Sequence, residues 1–453
     1  MSDISFYKKA NSLNEVNNAT RFDIPIDSDH EFYTDFSDVR GVFEEKVLYR
    51  SLNVDANTLQ YNASGHANPP KAFLFLAGMR GSGKTSELAK IAKKLHHREG
   101  FFCVTCNLDD GLDVNDMEYM DILIFQLERL FEELKSAGVH PDDKIIASLQ
   151  NWFSERVKEA NRSIKKEGGF EVEIGAESPS LFSFIKLAGK LKASIKGSRE
   201  SAEKIRTIFK HNFSDFAKKF NEFIEFVNVT LRKNSRAKEL LFIVDGLEKT
   251  ASAEVRRKIV LDEKDRIRQI KANTIFTLPI ELTAERQRLM DFSKVLSFPF
   301  VKLQEKDGTI VEKAVQRFKD FTYKRIDEAL FDEESTVRNA ILLSGGSPRE
   351  YLRLLTYLFM QADEATGLLT QEALEKATQK MAAETAQFLI QEDLDELKKI
   401  EEANQRGIPT LFSESIQGLL EKLILFEYND GTYKRVNPIV EASEVYKYYV
   451  KNN

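Results

Sequence analysis

Apolar residues follow two different spacings along the 453-residue chain, and the change of period divides it. Five short runs are apolar almost throughout: Ala72–Ala77, Phe101–Asn107, Leu240–Asp245, Asn273–Leu278 and Val295–Phe298. Runs of that length without a polar face suit strands covered on both sides, as in a parallel sheet. Between them apolar positions recur every three or four residues. Leu88, Ile91, Ala92 and Leu95 predict one helix, and Met120, Leu123, Ile124, Leu127, Leu130, Phe131 and Leu134 another. Strands alternating with helices predict an α/β fold around a parallel sheet, with ligand at the carboxyl ends of the strands. Ahead of it, Phe32, Tyr33, Phe36, Val39, Phe43, Val47 and Leu48 recur at near-helical spacing, predicting one packed helix over Glu31–Arg50. Residues 1–30 are polar with few apolar anchors and read as an arm that is mobile or ordered by a partner.

Two later stretches break the alternation. Residues 141–237 form an insertion. Within it Phe170–Ile174 and Lys190–Lys196 have period two with opposite charges, predicting a β-hairpin, and Arg199–Leu231 carries a phenylalanine-rich stripe, predicting a long helix. Ser180–Gly197 also fits an amphipathic helix at a membrane surface, although Gly189 and the period-two half count against it. Beyond Leu303 the strands stop. Helical patterns over Val311–Leu330, Ser335–Leu343, Pro348–Gln361 and Gln371–Leu389 predict a helical lid. Inside it, Gly345-Gly346 closes one helix and Pro348 opens the next, placing Arg349 on a first helical turn. Residues 391–453 give helices, then two strand-like runs around Asn429-Asp430-Gly431, a winged-helix pattern. The expected domains are thus 1–30, 31–302, 303–390 and 391–453.

The candidate chemistry lies between the first run and its helix, in Gly78-Met79-Arg80-Gly81-Ser82-Gly83-Lys84-Thr85. Strand, glycine loop and helix in that order are the context of a phosphate-binding loop. Gly78, Gly81 and Gly83 let successive N–H groups turn toward phosphate oxygens, and the helix N-terminus adds positive charge. Lys84 reaches the terminal phosphates and the Thr85 hydroxyl takes a place on Mg²⁺. Arg80, Ser82 and Ser86 complete the expected nucleotide-binding set. Asp245, ending the third run, stands where a Mg²⁺-ordering carboxylate belongs. A nucleoside triphosphate and Mg²⁺ are the implied ligands.

Composition narrows the field. The net charge of −6 gives no general attraction for nucleic acid or anionic membrane, and no run approaches the length of a membrane span. The N-terminus lacks a secretory pattern, and a cytoplasmic location is expected. The two cysteines, Cys103 and Cys106, fall inside the second strand and lack the further ligands a zinc site needs. The acidic run Asp109–Asp116 lacks the glycine and terminal glutamate of a calcium loop. In residues 391–453 eight basic residues face twelve acidic ones, so this part reads as binding protein, not DNA. The lysines and arginines of the insertion, Lys186 to Lys210, are where nucleic-acid contact would be sought.

Together, Gly78–Thr85, Asp245-Gly246-Leu247-Glu248, Thr277, Gly345–Arg349 and the C-terminal pattern resemble AAA+-type ATPases with a helical lid and winged helix. The resemblance is nearest the STAND branch and origin-recognition-like relatives, with a general likeness to bacterial stand-alone ATP-binding proteins of conflict systems. It implies ATP and Mg²⁺, with Lys84 and Thr85 on phosphate and metal and Asp245 ordering the metal's water. Glu248 becomes the residue polarising the attacking water, because Gly246 stands where many AAA+ enzymes place that glutamate, which implies slow hydrolysis. Thr277 becomes the polar sensor, Arg349 the γ-phosphate sensor, and Arg286 or Arg288 a finger for a neighbouring subunit. The implied function is an oligomerising ATPase switch controlling a separate effector, as in antiphage defence. The alternative is a DNA-handling ATPase of initiator or transposition-regulator type.

Overall fold

The computed structural model describes residues 7–62, 70–166, 180–250, 252–291, 293–362, 364–410, 413–429, 431 and 433–451. After short helical turns at Leu13–Glu15, Val16–Ala19 and Ser37–Val39 come a short helix, α1 (Glu45–Ser51), and the first strand, β1 (Phe73–Gly78). Helix α2 (Lys84–Leu95), strand β2 (Phe101–Asn107) and helix α3 (Tyr119–Ser136) follow. Next come four helices, α4 (Asp143–Lys166), α5 (Leu181–Gly197), α6 (Arg199–His211) and α7 (Phe213–Lys233). Strands β3 (Glu239–Asp245), β4 (Asn273–Pro279) and β5 (Lys294–Ser297) complete a five-stranded sheet in the order β2-β3-β4-β1-β5, every pairing parallel. Each of the five strands expected for the sheet is present within one or two residues.

The strands read as continuous apolar runs because both faces are covered. Phe75, Phe102, Val104, Phe242, Val244 and Phe276 join one core with α3 to α7, while Leu74, Leu76, Leu241, Ile243 and Ile275 join another with Leu88, Ile91, Leu95, Phe43 and Leu48. Cys103 and Cys106 are buried, one in each core, and burial pushes both thiols up. The register pairs Asn107 with Asp245 and Gly78 with Pro279, so the strands finish along one edge.

The expected hairpin of the insertion is not found at Lys190–Lys196, which lies in helix α5. Leu181, Phe184, Leu187, Leu191 and Ile195 are the buried positions, and the exposure of Ala193 shows that three- and four-residue spacing governs. The partner strand expected at Phe170–Ile174 lies outside the described residues. The apolar face of α5 is spent on the protein itself: the Phe184 ring stacks on Phe131 with centroids 4.2 Å apart, and Phe131 stacks on Phe223 at 4.7 Å. The long helix expected over Arg199–Leu231 is two, broken at Asn212, whose side-chain amide donates to the Ile208 carbonyl at 2.8 Å. A straight helix of that length would extend about 50 Å. The break lets Phe209 and Phe216 both meet Trp152, at 5.3 and 5.4 Å.

After β5 the four lid helices are α8 (Glu312–Tyr323), α9 (Glu334–Leu343), α10 (Pro348–Met360) and α11 (Gln371–Ala386). Residues 7–30 are not a detached arm where described. Tyr7, Ala10, Val16 and Ala19 are buried in the lid core, and Ala10 exchanges backbone hydrogen bonds of 2.8 Å with Arg325 and Asp327. The single helix expected over Glu31–Arg50 is only α1 plus a short turn at Ser37–Val39. The apolar anchors serve two cores: Phe32, Phe36 and Val39 the lid, Phe43 and Leu48 the sheet. One straight helix cannot face both. The chain ends in helices α12 (Gln391–Gln405) and α13 (Glu414–Glu421), the antiparallel pair β6 (Leu425–Tyr428) and β7 (Tyr433–Val436), and short helical turns. Among the described residues no helix is long and apolar enough to cross a membrane.

Candidate functional site

The glycine loop leaves β1 at Gly78 and enters α2 at Lys84, with Gly81 and Gly83 at φ of +85° and +92°. A side chain at Gly78 would stand 2.4 Å from the Phe298 carbonyl oxygen, so only glycine lets the chain after β5 pass beneath the loop. Lys84, 3 % exposed, donates to the carbonyls of Gly78 at 2.9 Å and Met79 at 3.0 Å, and its Nζ is 3.9 Å from Glu248. The Thr85 hydroxyl donates to Asp245 Oδ2 at 2.5 Å, while Asp245 Oδ1 is buried without a partner. Burial, and then the Glu248 carboxylate, raise the Asp245 pKa above the usual range. An orphaned carboxylate oxygen beside a hydroxyl on the helix turn fits a divalent cation.

Behind this pair, Thr277 is fully buried at the end of β4. Its hydroxyl accepts from the Gly246 N–H at 3.2 Å and donates to Glu248 at 3.4 Å. Gly246, at φ +105°, turns the chain so that Glu248 comes back toward the loop. Sequence distance is thereby cancelled: Lys84, Thr85, Asp245, Glu248 and Thr277 form one cluster.

The lid closes the other side. Ser347 caps α10 by accepting from the Glu350 N–H at 3.3 Å, holding Arg349 in the first turn. A Cβ on Gly81 would lie 2.8 Å from that of Arg349, so the lid arginine rests on the loop itself. Burial and then the like charge of Arg80 lower the Arg349 pKa, outweighing the Glu248 and Glu350 carboxylates, which act to raise it. A cleft of about 610 Å³ runs from Lys84, Thr85, Glu248 and Arg349 to the segment Arg21–Ile26. Arg80, Gly81, Gly83 and Ser86 line it. Gly78, Ser82, Asp245 and Thr277 lie behind the wall, and the Ser82 hydroxyl is buried without a partner. Arg286 and Arg288 do not line it: the first donates to the Val295 carbonyl at 3.2 Å and the second pairs with Glu285 at 3.4 Å.

Sequence reasoning missed Arg40. Fully buried, it donates to the Ser82 carbonyl at 2.6 Å and the Pro299 carbonyl at 2.8 Å, with its guanidinium 4.0 Å above the Phe298 ring. Burial lowers its pKa to about 10. It braces the loop from below, and no local pattern around it signals that. Met79 was missed too: its sulfur accepts from the Glu427 N–H at 3.2 Å, joining the loop to β6. The Tyr428 hydroxyl donates to the Gly345 carbonyl at 2.6 Å, joining β6 to the turn that carries Arg349.

A parallel sheet whose first strand feeds a glycine loop, with lysine, threonine and a strand-end aspartate gathered at its carboxyl edge, defines a P-loop NTPase. Residues 56–278 match the model of the KAP family P-loop domain. A search of solved structures finds a Walker-type ATPase of Pyrococcus abyssi, 14% identical, with a TM-score of 0.39 over 92% of this chain and 98% of that one. No curated protein matches.

Proposed function

We propose that the cleft binds ATP with Mg²⁺ and hydrolyses it, and that the lid reports which nucleotide is bound. One observation carries this reading: Arg349, delivered by the lid, rests on Gly81 beside Arg80 and Lys84, three cations around one glycine loop. A triphosphate satisfies them, and a diphosphate leaves the lid cation without its anion. Thr85 and Asp245 would hold the metal, which neutralises phosphate charge when bound. Glu248 would orient a water whose oxygen bonds to the γ-phosphorus as the bridging P–O bond breaks, the water's proton passing to the carboxylate.

The output of such a switch is assembly with further copies and control of a separate effector protein. A nucleic-acid output through the insertion is less well supported, since its cations are largely neutralised within the chain. Lys192 pairs with Glu128 at 2.6 Å, Arg206 with Asp121 at 2.6 Å and Lys210 with Glu118 at 2.5 Å. Separate ATP and ADP titrations of the wild type and Arg349→Ala, with light scattering for assembly, test the reading. Arg349→Ala is expected to weaken ATP by roughly 1.5–3 kcal/mol, the range for a charge-assisted contact, and to leave ADP nearly unchanged. Equal weakening of both nucleotides reduces Arg349 to a lid support.

A further inference from the structure

The cleft is longer than its phosphate end requires, and its far arm has a chemistry of its own. Between residues 32 and 36 burial alternates: Phe32, Thr34 and Phe36 are buried, Tyr33 is half-buried and Asp35 exposed. Asp35 faces α2, pairing with Lys90 at 3.3 Å. Phe36 faces the lid, 4.9 Å from Phe318 and 5.6 Å from Phe321. Thr34 shares the side of Phe32 and Phe36; it is 9% exposed, and its hydroxyl oxygen is buried without a hydrogen-bond partner.

Arg325, two residues past α8, meets the same arm. It is 3% exposed, with its guanidinium 3.7 Å from the Phe321 ring and 5.0 Å from the Phe32 ring. Nη1 donates to the Phe321 carbonyl at 3.0 Å, and among the described residues no carboxylate pairs with it. Burial brings its pKa down to about 9. The two rings offset part of the cost of a buried cation but leave it donors to spare. Thr34, Arg325, Phe32, Phe36 and Phe321 all line the cleft that holds Lys84 and Arg349.

From this juxtaposition we infer that the arm is an adenine subsite, in which Arg325 donates to N7 of the base and the Thr34 hydroxyl accepts from its 6-amino group. The inference rests on the nucleotide reading above. Flat aromatic walls suit a base, and a guanidinium is a donor only, whereas a hydroxyl both donates and accepts. A fixed donor beside a hydroxyl that can accept fits the N7 acceptor and N6 donor of adenine; guanine O6 would need that hydroxyl to turn and donate, and pyrimidines lack N7.

The test is calorimetric titration of the full chain with ATP, GTP, UTP, 7-deaza-ATP and inorganic tripolyphosphate. The proteins are the wild type, Thr34→Val, Thr34→Ser and Arg325→Met. Wild type is expected to prefer ATP and to lose about tenfold in affinity for 7-deaza-ATP, the scale of one hydrogen bond to a charged donor. Thr34→Val should shrink the preference for ATP over GTP and Thr34→Ser restore it, while tripolyphosphate binds all variants alike. In Arg325→Met the difference between ATP and 7-deaza-ATP should vanish. If Arg325→Met does not fold, 7-deaza-ATP on the wild type and the Thr34 pair still decide. Equal binding of ATP, UTP and 7-deaza-ATP by the wild type, a preference for GTP, or a loss of tripolyphosphate binding in Thr34→Val equal to that of ATP would each overturn the inference. Binding of tripolyphosphate and ATP that ignores Lys84→Ala would instead overturn the nucleotide reading beneath it.

Discussion

At the scale of single residues, the site is built from side chains whose partners are backbone atoms or one another. Lys84 donates to two loop carbonyls, which hold it in place until phosphate competes for it. Lys84→Ala is therefore expected to cost ATP affinity tenfold or more, since a charged hydrogen bond is worth roughly 1.5–3 kcal/mol. Asp245→Asn should lower turnover more than nucleotide affinity measured without metal, because the amide keeps the Thr85 contact but loses the charge a cation needs. Isothermal titration with and without Mg²⁺ separates the two effects. Arg40→Met exchanges a buried guanidinium for an apolar chain of similar length. The Ser82 and Pro299 carbonyls lose their buried donor, which should cost about 1–3 kcal/mol of stability, read as a lower melting temperature. The loop, no longer tied to Pro299, should also bind ATP more weakly. Lys84, Thr85, Asp245, Glu248, Thr277 and Arg349 were legible because each sits in a local motif. Arg40, Thr34 and Arg325 were not, because what distinguishes them is a partner, or the lack of one, across the fold.

At the scale of elements, strands were easier to read than helices. A run such as Leu240–Val244 is apolar at every position only if both faces are covered, and that settles its environment. Lys190–Lys196 satisfied period two by coincidence. Its lysines and Ser194 alternate with Leu191, Ala193 and Ile195, and only the packing of Leu191 and Ile195 four residues apart reveals the helix. The element joining the site to the rest of the molecule is β6, which contacts the loop at Met79 and the Arg349 turn through Tyr428. Tyr428→Phe removes that second contact without changing volume. It should cost about 1 kcal/mol of stability. Amide exchange should also quicken at Gly345–Glu350, read by mass spectrometry. Unchanged exchange there would show that the turn does not depend on β6.

At the scale of the whole molecule, the parts interlock. Met79, Ile280 and Phe300 belong to the same apolar core as α12, α13 and β6, so the C-terminal elements cover the end of the sheet. Arg256, 5% exposed in its side chain, pairs with Glu281 after β4 at 2.5 Å and with Glu421 of α13. Removing residues 391–453 exposes that core and leaves Arg256 short of one carboxylate. The truncated chain should unfold at a lower temperature than the full chain by calorimetry, and bind ATP more weakly because Met79 loses its support. A truncated chain as stable as the full one would make the C-terminal part an independent domain.

The sequence by itself determined the strands of the sheet, the glycine loop with its lysine and threonine, the strand-end aspartate, and the run of helices after the sheet. These depend on neighbours in the chain: a loop needs its glycines, and a buried strand its unbroken apolar run. Only the tertiary structure decided that residues 7–30 pack on the lid, that the insertion adds helices to the sheet's own core, and that β6 rests on Met79. It alone brought Arg325 and Thr34 to one arm of the cleft. Those outcomes depend on which apolar faces meet, and an apolar face can be covered by any partner of matching shape, wherever in the chain that partner lies.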